Sequence, residues 1–272
     1  MKIVPLDVQS LASLPARGAE PRDTLTVMTL NVAHGRRDGF HQALQRRVTI
    51  ERNLSEVAAE LERVDPDVVA LQEADGPSIW SGRFDHVRYV ASAARFANFV
   101  RGEHVRGFGL SYGTALLAQI PLDDALSITF APSPPTLAKG FVVSTIGWPG
   151  RPDVVLDVVS VHLDFARRSV REAQVDELVA VLARRGRPAI VMGDFNCELA
   201  SRGSPLKRLV ERGRLTAYQP EAPGLATFPS FGSRLDWVLV SPGLEFAGYR
   251  TLPATLSDHL GVVACLKLAP RA

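Results

Sequence analysis

The sequence predicts an α/β fold of the α+β type, in which two packed, mostly antiparallel or mixed β-sheets carry a few helices on the outside. Apolar runs typical of strands outnumber helical patterns along the chain. Many of these runs follow one another without a helix between them, which argues against a doubly wound parallel sheet. Hydrophobic residues make up 46% of the 272 residues, enough for a sizeable core.

Composition also limits the classes of function. The formal net charge of +2 does not indicate a general nucleic-acid binder, so an anionic substrate must be met by local charges. Two cysteines, Cys197 and Cys265, do not make a disulfide framework. No apolar run approaches the roughly 20 residues of a membrane span, and the N-terminus lacks the apolar core of a signal peptide. We therefore expect a soluble, cytoplasmic monomer without stable membrane insertion.

The elements can be justified in order along the chain. Residues 1–22 are expected to form a loosely ordered leader, and residues 23–270 a single domain, because no repeat or linker divides them. The strand candidates are apolar runs bounded by turn residues, at 25–34, 66–75, 113–122, 140–148, 154–163, 189–196, 235–242, 244–252 and 260–268. Two helical stripes are formed by Ile50, Leu54, Val57 and Leu61 and by Val175, Leu178, Val179 and Leu182.

Polar residues stand at the ends of most of these apolar runs. They are Asn31, His34, Glu73, His162, Asp164, Asp194, Asn196, Asp236, Asp258 and His259. One Asp or Asn in such a position is usually a turn former, but so many at matched strand ends favour a shared site. Within "VMGDFN", alternation along an extended chain would put Asp194 and Asn196 on the same side.

The residue types indicate which chemistry such a site would perform. Carboxylate and amide oxygens suit hard divalent cations, whereas zinc favours more His and Cys. Magnesium keeps several waters, so Glu73 with one Asp would suffice to bind it. A cation beside a phosphoryl oxygen withdraws charge, and a nearby Asp or His can activate water. His259 has the pKa range of a general base at neutral pH, provided that an acid orients it.

Six motifs carry a resemblance to a known family. In order they are "TLNVAH", "VVALQEAD", "SVHLDFA", "VMGDFN", "SRLDWVLVS" and "LSDH". Together, over roughly residues 24–267, they resemble the endonuclease/exonuclease/phosphatase superfamily, which is DNase I-like. The resemblance implies a four-layer sandwich and a metal-dependent hydrolase acting on phosphoric ester bonds. Its substrate would be a nucleic acid, a phospholipid head group or a small phosphodiester, and a phosphomonoesterase is the open alternative to a phosphodiesterase.

The resemblance also implies a metal site. Glu73 would bind the cation, Mg²⁺ or Mn²⁺, with Asn31 beside it and Asp258 near or in the coordination shell. The alternative is a catalytically inactive family member retained as a binding module. Loss of Glu73, Asp194 or His259 would indicate that alternative, and all three are present.

Further roles come from the same resemblance. His259 would accept a proton from the attacking water and would be oriented by Asp236, although Asp194 is an alternative base. Asn196 would hold a phosphate oxygen. His162 would donate a hydrogen bond to the phosphoryl group or help to protonate the leaving oxygen. The expected reaction is cleavage of a P–O bond by in-line attack of water.

Two departures and two minor matches qualify the resemblance. Ala33 stands where abasic endonucleases of the family have an acid, and Thr114 where many members have Asn. Both changes weaken an abasic-endonuclease interpretation. Lys139 and the glycine after it resemble a Lys-Gly element of sphingomyelinase-like members, although such a pair also simply opens strands. Arg171 and Gln174 match a recurrent pattern, with a solvated helix edge as the equal alternative.

Three remaining features have simpler interpretations. The segment 95–113 interleaves aromatic and basic residues, and we favour buried aromatics with solvated arginines over a mobile substrate-binding loop. His34 could touch phosphate, but a lone loop histidine is more often exposed to solvent. Cys197 has no histidine partner in a motif that would mark a nucleophile, so it is interpreted as a packed thiol.

Overall fold

Two seven-stranded β-sheets form the centre of the molecule in the computed structural model, which describes residues 1–11, 21–252 and 256–270. Within these residues the strands are β1 (Lys2–Pro5), β2 (Gln9–Ser10), β3 (Thr24–Asn31), β4 (Val68–Asp75), β5 (Asn98–Gly107), β6 (Leu110–Ala118), β7 (Asp123–Thr129), β8 (Gly140–Trp148), β9 (Arg151–His162), β10 (Ala189–Asp194), β11 (Thr216–Ala217), β12 (Asp236–Val240), β13 (Leu244–Thr251) and β14 (Val262–Leu268). The helices are α1 (Arg47–Val64), α2 (His86–Ala93), α3 (Arg168–Arg185) and α4 (Pro205–Gly213).

Each sheet contains one parallel pair among its described strands. Sheet A has the order β1-β7-β8-β9-β10-β12-β11, and sheet B the order β13-β14-β3-β4-β6-β5-β2. The pair β9–β10 is parallel and joined through α3, and the pair β3–β4 is parallel and joined through α1. The carboxyl ends of two parallel strands meet at one edge of a sheet, which is where open α/β sheets bind ligands.

Apolar side chains fill three successive layers. Val27 and Leu116 of sheet B pack against Val158 and Ile190 of sheet A in one cluster between the sheets. A second cluster joins the outer face of sheet B to α1 and α2. A third joins the outer face of sheet A to α3 and α4. The predicted pair of mixed sheets with outer helices is confirmed, as is the four-layer sandwich that the resemblance implies.

The first predicted helical stripe lies on α1. Ile50, Leu54, Val57 and Leu61 are all buried against sheet B. Asp65 ends the helix in the left-handed conformation at φ 54°, and its N–H donates to the carbonyl of Leu61. The spacing in the sequence is therefore sufficient to orient this helix.

We expect Leu54→Ala to lower the free energy of unfolding by about 2–5 kcal/mol, because Leu54 is fully buried and its truncation leaves a cavity. Val48→Ala on the same helix is the matched control, since Val48 is 66% exposed. That variant should change stability by less than about 0.5 kcal/mol. Urea denaturation with an unchanged m-value checks both results. A loss below 1 kcal/mol for Leu54→Ala would contradict the packing described for α1.

The N-terminal residues contribute one edge strand to each sheet. β1 pairs antiparallel with β7, and β2 pairs antiparallel with β5. The expectation of a loosely ordered leader over 1–22 is therefore wrong for these strands, while residues 12–20 lie outside the described residues. The side chains of both strands are exposed, so the strands have no pattern of buried apolar residues from which they could be predicted. Edge pairing uses backbone groups, which hydrophobic periodicity does not report.

The segment 95–113 is a hairpin of β5 and β6. Phe96 and Phe99 are fully buried, which agrees with the favoured interpretation of the aromatics. The arginines are not all solvated, because Arg101 is half-buried and pairs with Glu103 at 2.8 Å. Phe108 lies at the turn of the hairpin and is fully exposed.

Candidate active site

The carboxyl ends of the two parallel strand pairs converge from opposite sheets. In sheet B, β3 ends at Asn31, and Glu73 is the third residue from the end of β4. In sheet A, β9 ends at His162 and β10 at Asp194. Asn31 Nδ2 donates to Asp194 Oδ2 at 3.1 Å across the sandwich. His162 Nε2 lies 4.0 Å from Glu73 Oε1 and 3.4 Å from Asp194 Oδ2. The four side chains therefore form one cluster at a single rim.

Sheet register aligns the sheet A members of this cluster. Asp194 pairs with His162 on one side and with Asp236 on the other, and Gly140 pairs with His162. Four neighbouring strands thus bring their residues into one row. Lys139 precedes this row directly at the start of β8.

A β-bulge sets the position of Glu73. The register between β4 and β6 shifts between Gln72 and Ala74, which leaves Glu73 as the extra residue, at φ 50°. Burial raises the pKa of Glu73, but the nearby basic side chains, first His34 and then Lys139, lower it to about 2. Glu73 is therefore an ionised carboxylate at neutral pH and a suitable ligand for a hard cation.

Asp194 lies at the centre of the cluster. Its Oδ1 accepts the N–H of Asn196 at 2.9 Å, and its Oδ2 lies 3.9 Å from His259 Nε2. Burial raises the pKa of Asp194 to about 7, against the opposing effect of His259 and with a further contribution from Asp236. Both of its oxygens face polar groups, so this carboxylate links the two halves of the site.

Asp236 and His259, 23 positions apart, form a close pair. His259 Nδ1 lies 2.7 Å from Asp236 Oδ2, and the ring of Phe228 lies against the imidazole with centroids 4.8 Å apart. Burial alone would lower the pKa of His259, but Asp236 and Asp194 raise it to about 10. The contact holds Nδ1 against Asp236 and leaves Nε2 on the side of Asp194.

Lys139 is a site residue that the motifs only hint at. Its Nζ lies 3.0 Å from His162 Nε2 and 3.9 Å from Glu73 Oε1, and the residue is 8% exposed. Burial lowers the pKa of Lys139, and Glu73 and Asp194 oppose that shift. The pKa of His162 lies well below its ordinary value because of burial and the charge of Lys139. The lowered pKa favours the neutral form of the His162 imidazole, which lies against the Lys139 amine.

A turn rather than strand alternation positions Asn196. β10 ends at Asp194, and Asn196 has φ 51°, so the extended-chain argument for this pair is wrong. Asn196 Nδ2 donates to the carbonyl of Leu163 at 3.0 Å. The short-range reason is the tendency of Asp and Asn to form turns through their own side chains.

Arg171 and Gln174 support the loop that follows β9. Gln174 Oε1 accepts the N–H of Asp164 at 2.8 Å, and Arg171 Nη1 donates to the carbonyls of Asp164 and Phe165. Gln174 is buried, so a solvated helix edge is wrong for that residue. Asp164 Oδ1 accepts the N–H groups of Ala166 and Arg167 and so stabilises the turn that leads into α3.

Several residues differ from their expected surroundings. Asp258 pairs with Arg36, and its Oδ1 accepts a hydrogen bond from Ser257 Oγ at 3.1 Å. His34 is buried at 8% exposure, and the expectation of a solvent-exposed loop histidine is wrong. Thr114, one of the departures from the family pattern, contacts a second buried histidine, His104, at 2.9 Å.

Cys197 is partly buried beside the site. Burial raises the pKa of its thiol, which lowers the thiolate fraction at neutral pH. The residue also packs against the outer cluster of sheet A. Both observations agree with a packed thiol.

The donor atoms suit a divalent cation in two adjoining places. Asp194, Asp236 and His259 offer ligand atoms that lie within 4.8 Å of one another. In the described part of the chain, the buried Asp236 Oδ1 has no hydrogen-bond partner, which is unusual for a buried oxygen. Glu73 offers a further ionised carboxylate, whose Oε1 lies 4.0 Å from His162 Nε2. The residues present therefore fit a metal-dependent site.

Comparisons with known proteins agree with this geometry. The model of the Endonuclease/Exonuclease/phosphatase family matches residues 28–259. A search of curated proteins found no match. Several solved structures have similar folds, and their sequence identities to this chain are below 20%, so the similarity concerns the fold alone.

Three solved structures illustrate that likeness. An endonuclease/exonuclease/phosphatase from Beutenbergia cavernae has 19% identity and a TM-score of 0.71, over 91% of this chain and 72% of that one. One from Bacteroides vulgatus has 16% identity and a TM-score of 0.72, over 91% and 100%. The human Nocturnin catalytic domain has 18% identity and a TM-score of 0.66, over 97% of each chain.

The family match and the fold point to the same conclusion. The matched range runs from β3 to the His259 region and so includes every strand end that contributes to the cluster. Because the match covers most of the 272 residues, the chain belongs to the endonuclease/exonuclease/phosphatase family, whose members are hydrolases acting on phosphoester bonds.

Proposed function

We propose that the protein is a divalent-cation-dependent phosphodiesterase that hydrolyses a P–O bond by in-line attack of water. The observation that carries this proposal is the 2.7 Å contact of Asp236 with His259, whose Nε2 faces Asp194. A general base in this orientation can remove a proton from a water molecule, which then attacks a nearby electrophilic atom. Because the chain belongs to a family of phosphoester hydrolases, we propose that the attacked atom is the phosphorus of a phosphoester.

Two sides of the cluster have different roles in this proposal. On one side, His259 removes a proton from water through Nε2, and Asp236 stabilises the imidazolium that forms. On the other side, Glu73 holds the cation, Mg²⁺ or Mn²⁺, with Asn31 and Asp258 as the further proposed ligands. When bound, the cation withdraws charge from a phosphoryl oxygen.

The residues between these sides contact the phosphoryl group. Asn196 donates to a phosphate oxygen, and His162 donates to the phosphoryl group or the leaving oxygen. Lys139, 3.0 Å from His162, neutralises negative charge as it develops in the transition state. Asp194 Oδ2 lies 3.4 Å from His162 Nε2 and 3.9 Å from His259 Nε2, so this carboxylate can contact both groups.

Apolar side chains next to the cluster support a substrate with a large group beside the phosphate. The exposed ring of Phe165 lies 6.0 Å from Lys139 Nζ, and the exposed Phe231 stacks on Phe228, which contacts His259. Such rings can stack on a nucleic-acid base or contact a phospholipid. Among the described residues, no helix is long and apolar enough to cross a membrane. We propose nucleic acid or a phospholipid head group as the substrate.

A substrate screen tests this function. The protein should hydrolyse bis(p-nitrophenyl) phosphate and one of plasmid DNA, sphingomyelin or a phosphoinositide when Mg²⁺ or Mn²⁺ is present. EDTA should abolish turnover, and added cation should restore it, because the proposed ligands are oxygen donors. Full turnover in excess EDTA would contradict the metal dependence. Binding of one of these substrates without hydrolysis under every cation would instead favour the binding-module alternative.

A further inference from the structure

We propose that His34 is a metal ligand of this site, with its Nε2 binding the same divalent cation as Glu73. The inference rests on the proposed function, because that function requires a cation at Glu73. It adds a nitrogen donor to a site whose other proposed ligands are oxygens. His34 Nε2 lies 3.4 Å from Glu73 Oε2, and both side chains are largely buried.

The hydrogen bonds of Asp75 select the tautomer of His34. Asp75 Oδ1 lies 2.6 Å from His34 Nδ1, and Asp75 Oδ2 accepts the indole N–H of Trp80 at 2.9 Å. The carboxylate is fully buried and can only accept, so the proton lies on Nδ1. In the neutral ring the lone pair is then on Nε2, which lies 3.4 Å from Glu73 Oε2. A carboxylate on one ring nitrogen with a metal on the other is the usual arrangement of ligating histidines.

Packing fixes the imidazole in this orientation. The ring meets Trp80 at a centroid distance of 5.1 Å and Tyr112 at 4.9 Å, in both cases edge to face. Trp80 and Tyr112 also stack on each other at 5.3 Å. The ring of His34 therefore lies in an aromatic pocket that restricts its rotation, as a preorganised ligand requires.

Three residues at this place have a left-handed backbone conformation. Ala33 and His34 have φ 46° and 55°, and Glu73, which faces them from β4, has φ 50°. Non-glycine residues adopt this conformation only where the surrounding structure holds them in it. Gly35 follows at φ 72°, and its carbonyl accepts from Asn53 at 2.9 Å, which holds the turn against α1.

The spacing suits two ligands of one ion. Two ligands at right angles, each about 2.1 Å from a cation, are roughly 3 Å apart. The 3.4 Å between Nε2 and Oε2 is close to that value. An imidazole donor also raises the affinity for Mn²⁺, Co²⁺ and Zn²⁺ relative to that for Mg²⁺, which prefers oxygen. The site is therefore expected to bind Mn²⁺ more tightly than Mg²⁺.

Pulsed electron paramagnetic resonance of the Mn²⁺-loaded protein tests the proposal directly. The electron spin echo of Mn²⁺ should show modulation from a directly bound ¹⁴N nucleus, and His34→Gln should remove it. His34→Gln should also raise the Mn²⁺ dissociation constant by at least about 10-fold, and the Mg²⁺ constant by less. Titration calorimetry provides both constants without any assay of activity.

Two other histidines serve as controls in the same experiment. His162, 4.0 Å from Glu73 Oε1, is the rival source of a nitrogen ligand, and the exposed His41 lies near Trp80 at the rim. The modulation should persist in His162→Gln and in His41→Gln. If it survives in His34→Gln, or disappears in His162→Gln alone, the assignment to His34 is wrong. Nitrogen modulation that survives in His34→Gln is also the result expected if His34 is a protonated imidazolium that only forms ion pairs with Glu73 and Asp75.

Asp75→Asn provides a second variant that preserves the size of the side chain. Because Asp75 is proposed to act on the cation through His34, it is a positioning residue, and this variant should weaken Mn²⁺ binding by about 10–100-fold. The nitrogen modulation should be reduced while the far-UV circular dichroism is retained. Unchanged Mn²⁺ affinity in Asp75→Asn would overturn the tautomer argument. Failure of the wild-type protein to bind any divalent cation would instead overturn the proposed function, so the two failures are distinguishable.

Discussion

His259→Ala is expected to lower kcat by about 10²–10⁴-fold, the range that general acid–base catalysis contributes. KM should change much less, because a general base acts on the attacking water in the transition state and adds little to substrate binding. The steady-state kinetics of bis(p-nitrophenyl) phosphate hydrolysis measure both parameters. Circular dichroism should show an intact fold, since His259 lies at the rim of the sandwich.

The pH–rate profile makes this prediction sharper. The base must be neutral to accept a proton, and the pKa of His259 is raised to about 10 by Asp236 and Asp194 against the effect of burial. The wild-type kcat should therefore rise with pH through the neutral and alkaline range, above the ordinary pKa of histidine near 6.5. His259→Ala should lose this rise.

Asp236→Asn separates orientation from proton transfer. It leaves the imidazole in place but weakens its orientation and the stabilisation of its charged form, so kcat should fall less than in His259→Ala. It should also move the alkaline limb to lower pH, because the carboxylate that raises the pKa of His259 is gone. If His259→Ala keeps near-normal turnover and a limb near pH 7, the base is Asp194, whose pKa is raised to about 7.

Glu73→Gln is expected to weaken divalent-cation binding by at least about 100-fold, because it removes the ionised ligand of the proposed site while it preserves side-chain volume. At limiting Mg²⁺ or Mn²⁺, turnover should fall in proportion to the loss of bound cation. A higher cation concentration should restore part of it. Titration calorimetry with Mn²⁺ and rate measurements over a range of cation concentrations check the two effects.

A surface glutamate supplies the control for that variant. Glu245→Gln on β13 removes a carboxylate that pairs with Lys267 at 3.2 Å in a half-exposed position. It should leave cation affinity and turnover unchanged, since exposed ion pairs contribute little. Equal cation affinity in Glu73→Gln and the wild type would exclude Glu73 as a ligand.

The sequence alone is sufficient for most of the architecture. Strand periodicity and the stripe of Ile50, Leu54, Val57 and Leu61 determine the mixed sheets and the first helix, because burial of one face leaves a regular spacing of apolar residues. The six motifs likewise indicate the family, since each polar residue directly follows an apolar run. The edge strands at residues 2–5 and 9–10 leave no such spacing, because only their backbone groups pair.

The arrangement of the site was decided only by tertiary structure. Asn31 contacts Asp194 across 163 positions, and His34 contacts Asp75 across 41, through the packing of two sheets and a strained turn. The spacing of apolar residues along the chain does not predict such contacts. It also does not predict how deeply Glu73 and Asp194 are buried or which charges surround them, and these determine their pKa shifts. The residue types at the strand ends thus came from the sequence. Their partners, protonation and orientation came from the convergence of the strands, because those properties depend on distances between residues remote along the chain.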